Sequence, residues 1–224
     1  MSTTDWLDRL RERALAPVAH GSPAWHEHRR AGIGGSDAPI ILGESPWTTR
    51  DQLRALKRGL ATPRPETRRS EALMGIGQLL EAAILARYAP DALPGDAIGQ
   101  IADLEQPYLR AHIDGIVPSD GAIVEVKTSG RPWQGGVHVP DHYLAQVQHY
   151  MTVTGAALCH MIHWHTPHDR VALYAHLVAE TLTPEQALEL GSVQRCTVTY
   201  DARWSARWRV EAARFWAEVS HVQA

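Results

Sequence analysis

Cysteine is scarce in this chain, limited to Cys159 and Cys196. In a chain expected to be cytosolic, two isolated cysteines point to free thiols rather than a disulfide framework. They also cannot supply the four thiolates of an iron–sulfur cluster. No apolar run is long enough to cross a bilayer. The opening stretch MSTTDWLDRLRERA is polar and amphipathic and has no signal-peptide core, so a cytoplasmic protein is expected, with no membrane partner. Internal repeats and low-complexity tracts are absent. A positive net charge is lacking too: the total is −3, so no global sign marks a nucleic-acid binder. What remains is 224 residues, 44% of them hydrophobic, enough for one domain over 1–224 with a sizeable core.

The distribution of charge says more than its sum. Residues 50–69 hold seven Arg/Lys against two acids, a local +5 that leaves −8 for the rest. This predicts a basic surface strip for an anionic partner, with Arg54, Lys57 and Arg58 as its candidates; a solvated helix and loop is the plainer alternative.

Periodicity predicts a short helix over 4–16, a turn at Gly21-Ser22-Pro23, and a helical piece in AWHEHRR. A loop from Gly32 to Gly35 follows, with Ser36-Asp37 expected to cap the segment APIILG. Ser45-Pro46-Trp47 interrupts the chain before a helix over 49–58, stopped at Gly59; ATPRPETRR reads as a Pro-rich basic loop. The clearest helix of the first half is 70–88, with Leu73, Ile76, Leu80 and Ile84 along one stripe and Glu81 beside it. Another helix is expected over 141–153, ended by Gly155. The runs ALCHMIHWH and RVALYAHLVAE both look like strands. Short helical character at 184–190 precedes a closing helix over about 201–221, with Trp204, Trp208, Phe215, Trp216 and Val219 turned inward. Those aromatics could stack bases, but their helical spacing favours a core. The sum is a sheet flanked by helices, α/β or α+β.

Chemistry concentrates in HIDGIVPSDGAIVEVKTSG, where two strand-like runs flank Pro118-Ser119-Asp120-Gly121. A symmetric turn sets Asp114 opposite Glu125, with Cβ atoms roughly 4.5–5.5 Å apart. Glu125 and Lys127 share a strand face, while Val124 and Val126 face the other way. Two hard oxygen ligands beside an ammonium suit Mg²⁺-dependent phosphodiester cleavage, for which Glu81 is a third candidate acid. The loop before Ser36 is a candidate anion site, where Arg29 could add a bidentate contact. Gln146, between Tyr143 and Tyr150, is placed to point inward and needs partners there. His163 and His165 share a strand face, as a metal pair can, but no spacing completes a tetrahedral set with them, His160 or His168.

Five blocks in order resemble the YqaJ-type viral recombinases, a lambda-exonuclease-like group of the PD-(D/E)XK nuclease class. They are WHEHRRAGIGGSDAPIILGESPW, GQLLEAAILARY, AHIDGIV with VEVKTS, HYLAQVQHYMTVTG, and RFWAEV. The resemblance implies a central mixed β-sheet flanked by helices, with Mg²⁺ as cofactor and Mn²⁺ able to substitute. It implies that Glu81, Asp114, Glu125 and the Val126 carbonyl hold metal, that Lys127 orients or activates the attacking water, and that Gln146 lies at the active site. Arg29 and Ser36 match positions that receive a terminal 5′-phosphate. Ala82 stands where members often have proline. His112 replaces a small hydroxyl residue and could itself contact phosphate. The implied activity is 5′→3′ digestion of one strand of linear double-stranded DNA, leaving 3′ overhangs for a single-strand annealing protein. A homotrimer and a phage or prophage origin are implied in the same way. A structure-specific or restriction-like endonuclease, or a non-catalytic DNA-binding module, stays open on the residues alone.

Overall fold

The computed structural model describes residues 3–18, 22–62, 67–136 and 138–220. Gly21 of the expected turn and 63–66 of the Pro-rich loop lie outside them. Helices α1 (Thr3–Glu12) and α2 (Pro23–Arg30) lead into a single 3₁₀ turn at Gly35–Asp37, then α3 (Ala38–Ile41), α4 (Arg50–Lys57) and the long α5 (Arg68–Tyr88). Strands β1 (Leu93–Pro94), β2 (Ile101–Ala102), β3 (Arg110–Ala111), β4 (Gly115–Val117) and β5 (Ala122–Ser129) follow. Next come α6 (Asp141–Thr154), β6 (Leu158–His165), α7 (Arg170–Val178), α8 (Pro184–Leu188), β7 (Ser192–Thr199) and α9 (Ala202–Ser220).

The main sheet is mixed, with order β1-β4-β5-β6-β7. β5 pairs antiparallel with β4 and parallel with β6, and β6 pairs antiparallel with β7. A parallel pair needs a crossover, which α6 supplies. Because strand side chains alternate, β5 feeds two cores. Val124 and Val126 pack with Ile162 and Trp164 against Ile76, Leu80 and Ile84 of α5. Ile123 packs with Met161 against Val147, Tyr150 and Met151 of α6, and this core continues to Trp208 and Phe215 of α9. Trp208 and Phe215 are buried, so the α9 aromatics are core, as their spacing favours. Truncating either to alanine removes packing worth about 3–5 kcal/mol.

The structure differs from the sequence reading at three places. RVALYAHLVAE forms helix α7, not a strand. Asp169 caps it by accepting from the Val171 amide, and Leu173 and Leu177, one turn apart, pack toward α5. The edge strand β7 has no counterpart among the expected elements, because its half-exposed run SVQRCTVT carries no strong apolar signal. Asp37 takes the N-cap position of α3 but gives it no side-chain hydrogen bond: Ser36 and Asp37 both lie within the 3₁₀ turn, and the Asp37 carboxylate turns back to accept from the Gly34 amide at 2.8 Å. Elsewhere the expected helices stand, except that α1 ends at Glu12 and not at 16; Thr67 caps α5 two residues earlier than predicted and Gly155 ends α6 at φ 75°.

Candidate active site

The site grows from the β4–β5 hairpin. Its ladder pairs Gly115 with Val124 and Ile116 with Ile123. One further step of that register sets Asp114 opposite Glu125. Asp114 has left the ladder and accepts from the Val126 amide through Oδ2 at 2.7 Å. Gly95 allows this exit: a Cβ there would lie 1.6 Å from the Ile113 carbonyl oxygen.

Behind Asp114, Glu125 is 2% exposed. Its Oε1 accepts from Lys127 Nζ and from Gln146 Nε2, the latter at 3.0 Å. Gln146 comes from α6, accepts from Lys127 Nζ at 3.1 Å and donates to the Tyr150 hydroxyl at 2.9 Å. The inward Gln146 expected from the sequence is therefore the clamp that joins Lys127 and Glu125. Tyr150, read from the sequence only as an apolar helix position, completes the clamp. Lys127 also lies 4.9 Å from the centre of the Tyr143 ring. Glu125 Oε2 is left buried without a hydrogen-bond partner.

Negative charge is in excess here. Burial, then the Asp114 charge, pushes the Glu125 carboxyl up to about 8 despite Lys127. Burial and Glu81 push Asp114 to about 7, and burial, Glu125 and Asp96 push Glu81 to about 7. Burial alone would lower Lys127, but Glu125 and Asp114 outweigh it and raise its pKa. Carboxylates held this close favour protonation or a cation between them. Glu81 and Asp114 line an open cleft of about 1040 Å³. An unpaired carboxylate oxygen and a second acid suit a hard divalent cation, with oxygen donors and water to complete its shell. Among the described residues, no three His, Cys, Asp or Glu side chains form a metal-ligand cluster by themselves. At the histidines, both ring nitrogens of His163 are engaged, with Ser129 Oγ at 2.7 Å and Gln194 Oε1 at 3.1 Å, and the ring stacks on Trp133. His163 and His165 are thus no metal pair.

The same cleft is walled by Arg29, Ser36 and His112. Arg29 Nη2 donates to Ser36 Oγ at 3.5 Å, so the two expected anion ligands stand together on the rim. The Gly32–Gly35 loop is held from below. Ile33 bridges to the chain beside Leu109, with its amide donating to the Tyr108 carbonyl at 2.6 Å. Gly35 packs on Tyr150, whose ring would lie 2.3 Å from any Cβ there. One aromatic side chain thereby links the anion loop to the Gln146 clamp. His112 is exposed and faces Asp96 at 3.5 Å.

The predicted basic strip is corrected. Lys57 is buried and donates at 2.6 Å to each of the Arg29 carbonyl, the Gly32 carbonyl and Asp37 Oδ2. It is a pillar under the loop, not a surface cation. Arg54 pairs with Asp51 and Glu218, and Arg50 with Glu218 and Glu211. The α4 charges thus dock α4 against α9; Arg58 is half-buried, with its Nε unpartnered. Nothing in the sequence joined Lys57 to Asp37, twenty residues away. Arg110, also missed, lines the cleft and donates to the His28 carbonyl at 2.7 Å.

The sequence model of the YqaJ-like viral recombinase domain matches residues 24–157, which hold every site residue above. The chain belongs to this family. It is 32% identical over 139 residues to the uncharacterized protein YqaJ of Bacillus subtilis, a match spanning 58% of this chain and 42% of that relative's length. The fold is that of the alkaline exonuclease LHK-Exo from Laribacter hongkongensis, with TM-score 0.61 and 18% identity over 89% of this chain and 93% of the other. LHK-Exo in complex with dAMP gives TM-score 0.60 and 15% identity over the same shares. A phage-related exonuclease from Haemophilus somnus 129PT gives 0.51 and 11% identity, over 88% of this chain and 97% of that one.

Proposed function

We propose that this YqaJ-family protein is a Mg²⁺-dependent 5′→3′ exonuclease. It would digest one strand of linear double-stranded DNA and leave 3′ overhangs for a single-strand annealing partner. The observation that carries this reading is Glu125 Oε2, buried and unpartnered beside Asp114 and Lys127 behind a cleft rimmed by Arg29 and Ser36. The fold and the exonuclease names of the structural neighbours support it.

Asp114, Glu125, the Val126 carbonyl and Glu81 are the residues that would hold Mg²⁺. When bound, the ion supplies Lewis-acid polarisation of the scissile phosphate and lowers the pKa of water. The chain's own residues do the rest. Lys127, fixed between Glu125 and Gln146, places its ammonium where it can orient the attacking water and offset developing charge. Gln146 and Tyr150 hold that ammonium in one position. Arg29 and Ser36 would bind the 5′-phosphate left by each cut and so set the register of the next.

Linear duplex with 5′-phosphate or 5′-hydroxyl ends, incubated with and without Mg²⁺ beside a closed circle, tests the reading. Mg²⁺-dependent loss of the 5′-phosphorylated strand with the circle intact is expected. Nicking or linearisation of the circle would instead mean an endonuclease. No cleavage by folded, metal-replete protein would mean a binding module.

A further inference from the structure

Trp47 stands out among the exposed apolar side chains. It is 72% exposed, yet its surroundings hold it in place. Its loop is pinned by Glu44 and Ser45 amides that both donate to the Pro39 carbonyl, at 2.8 and 3.1 Å. The Ser45 hydroxyl accepts from the amides of Trp47 and Thr48 at 3.3 and 3.4 Å. The indole meets the His142 ring edge-on, with centroids 5.0 Å apart and planes at 87°. His142 lies 4.2 Å from Tyr143, and Lys127 Nζ lies 4.9 Å from the Tyr143 ring. Three aromatic rings in sequence therefore run from the candidate catalytic lysine to an open indole face.

The local charge narrows what that face takes. Glu44 and Asp141 lie close enough to feel each other's charge, and among the described residues no Arg or Lys lies against the indole, so its contact with a ligand is apolar stacking rather than ion pairing. A large aromatic surface held rigid before contact loses little entropy on stacking, and nucleobases stack on such faces without regard to sequence.

We propose that Trp47 is a base-stacking platform that receives a nucleobase with a free face, either the terminal base of a duplex end or the first unpaired base beside the cleavage site. The proposal rests on the nuclease reading of the Lys127 site. It adds a contact to the base where Arg29 and Ser36 contact the phosphate.

The test is equilibrium binding of the 224-residue protein, without divalent cations, to a labelled blunt duplex and to single strands. Each is made with an intact terminal base and with an abasic residue there. Trp47→Ala is expected to weaken binding of the intact probes roughly 5- to 100-fold. Trp47→Phe should retain most of the affinity. The abasic probe should weaken wild-type binding by a similar factor and leave the Trp47→Ala protein unaffected. The salt dependence should not change, because no phosphate contact is lost. Equal loss from the abasic residue in both proteins, or wild-type affinity in Trp47→Ala, overturns the platform. A reduced salt slope in Trp47→Ala overturns it in favour of a charge effect. Failure of the wild type to bind any DNA would instead sink the nuclease reading, a separate result.

Discussion

Two buried lysine–carboxylate pairs stand on either side of Tyr150, and they differ in how completely they are satisfied. In the first, Lys57 donates to three oxygens, and Asp37 accepts from both Lys57 and the Gly34 amide. Burial alone would raise the Asp37 pKa, but Lys57 and Arg29 outweigh it and hold the carboxyl below its usual range. In the second, Lys127 is shared between Glu125 and Gln146, Glu125 keeps an unpartnered oxygen, and Asp114 adds a second acid. There the carboxyls are pushed up, to about 7 and about 8. The same residue types thus make a closed structural joint in one place and, in the other, a site with spare negative charge and room for a cation. The count of partners separates the two roles, not the chemistry of the pair.

The comparison is broken most strongly by removing each lysine. Lys57→Met should lower the stability of the fold by about 3–5 kcal/mol, because it strands Asp37 without its cation; chemical denaturation measures this. Stability unchanged within 1 kcal/mol would show that the joint carries no load. Lys127→Met should lower the cleavage rate about 10²–10³-fold and cost less stability than Lys57→Met, because the Glu125 carboxyl, already pushed up to about 8, can take up a proton in place of the lost cation. A large loss of stability with activity intact would reverse the two assignments.

Glu125→Gln gives the next largest effect, and its sign depends on pH. The folded metal-free protein keeps on Glu125 a proton that the unfolded chain releases from pH 4.5 upward. Stability is therefore lost as pH rises from about 4.5 to about 8. The isosteric amide removes this loss. It should stabilise the metal-free protein at pH 8 by about 4 kcal/mol, roughly 8–16 °C in Tm, and by nothing measurable near pH 4.5. Mg²⁺ should raise the Tm of the wild type at pH 8 and raise that of Glu125→Gln less, since Asp114, Glu81 and the Val126 carbonyl remain; an equal rise in both would place the cation elsewhere. The smallest effect is expected from Ser36→Ala, a loss of about 1 kcal/mol in the preference for 5′-phosphate over 5′-hydroxyl ends. A preference identical to the wild type would remove Ser36 from the anion site.

The parts of this molecule legible in its sequence were local. The hairpin could be read because apolar alternation and the Pro118–Gly121 turn lie within twenty residues, and those two signals set both the register and the face of Glu125 and Lys127. Helix α5 with Glu81 was legible for the same reason, through a long stripe of period 3.6. Helix α7 reads as a strand because RVALYAHLVAE is apolar at eight of its eleven positions, a near-continuous run that fits a buried strand as well as a helix; Asp169 as a cap is the signal that distinguishes them. Strand β7 was missed because one half-exposed edge strand has only one face to pattern.

By itself, then, the sequence determined which carboxylates and which lysine share the hairpin, since alternation along a strand and the closure of a short turn depend only on neighbouring residues. Tertiary structure alone decided their state. The α6 crossover brings Gln146 and Tyr150 under Lys127, Lys57 reaches Asp37 from another helix, and burial raises the acids. These effects arise from desolvation and from contacts between distant segments, which exist only once the two faces of the sheet are covered.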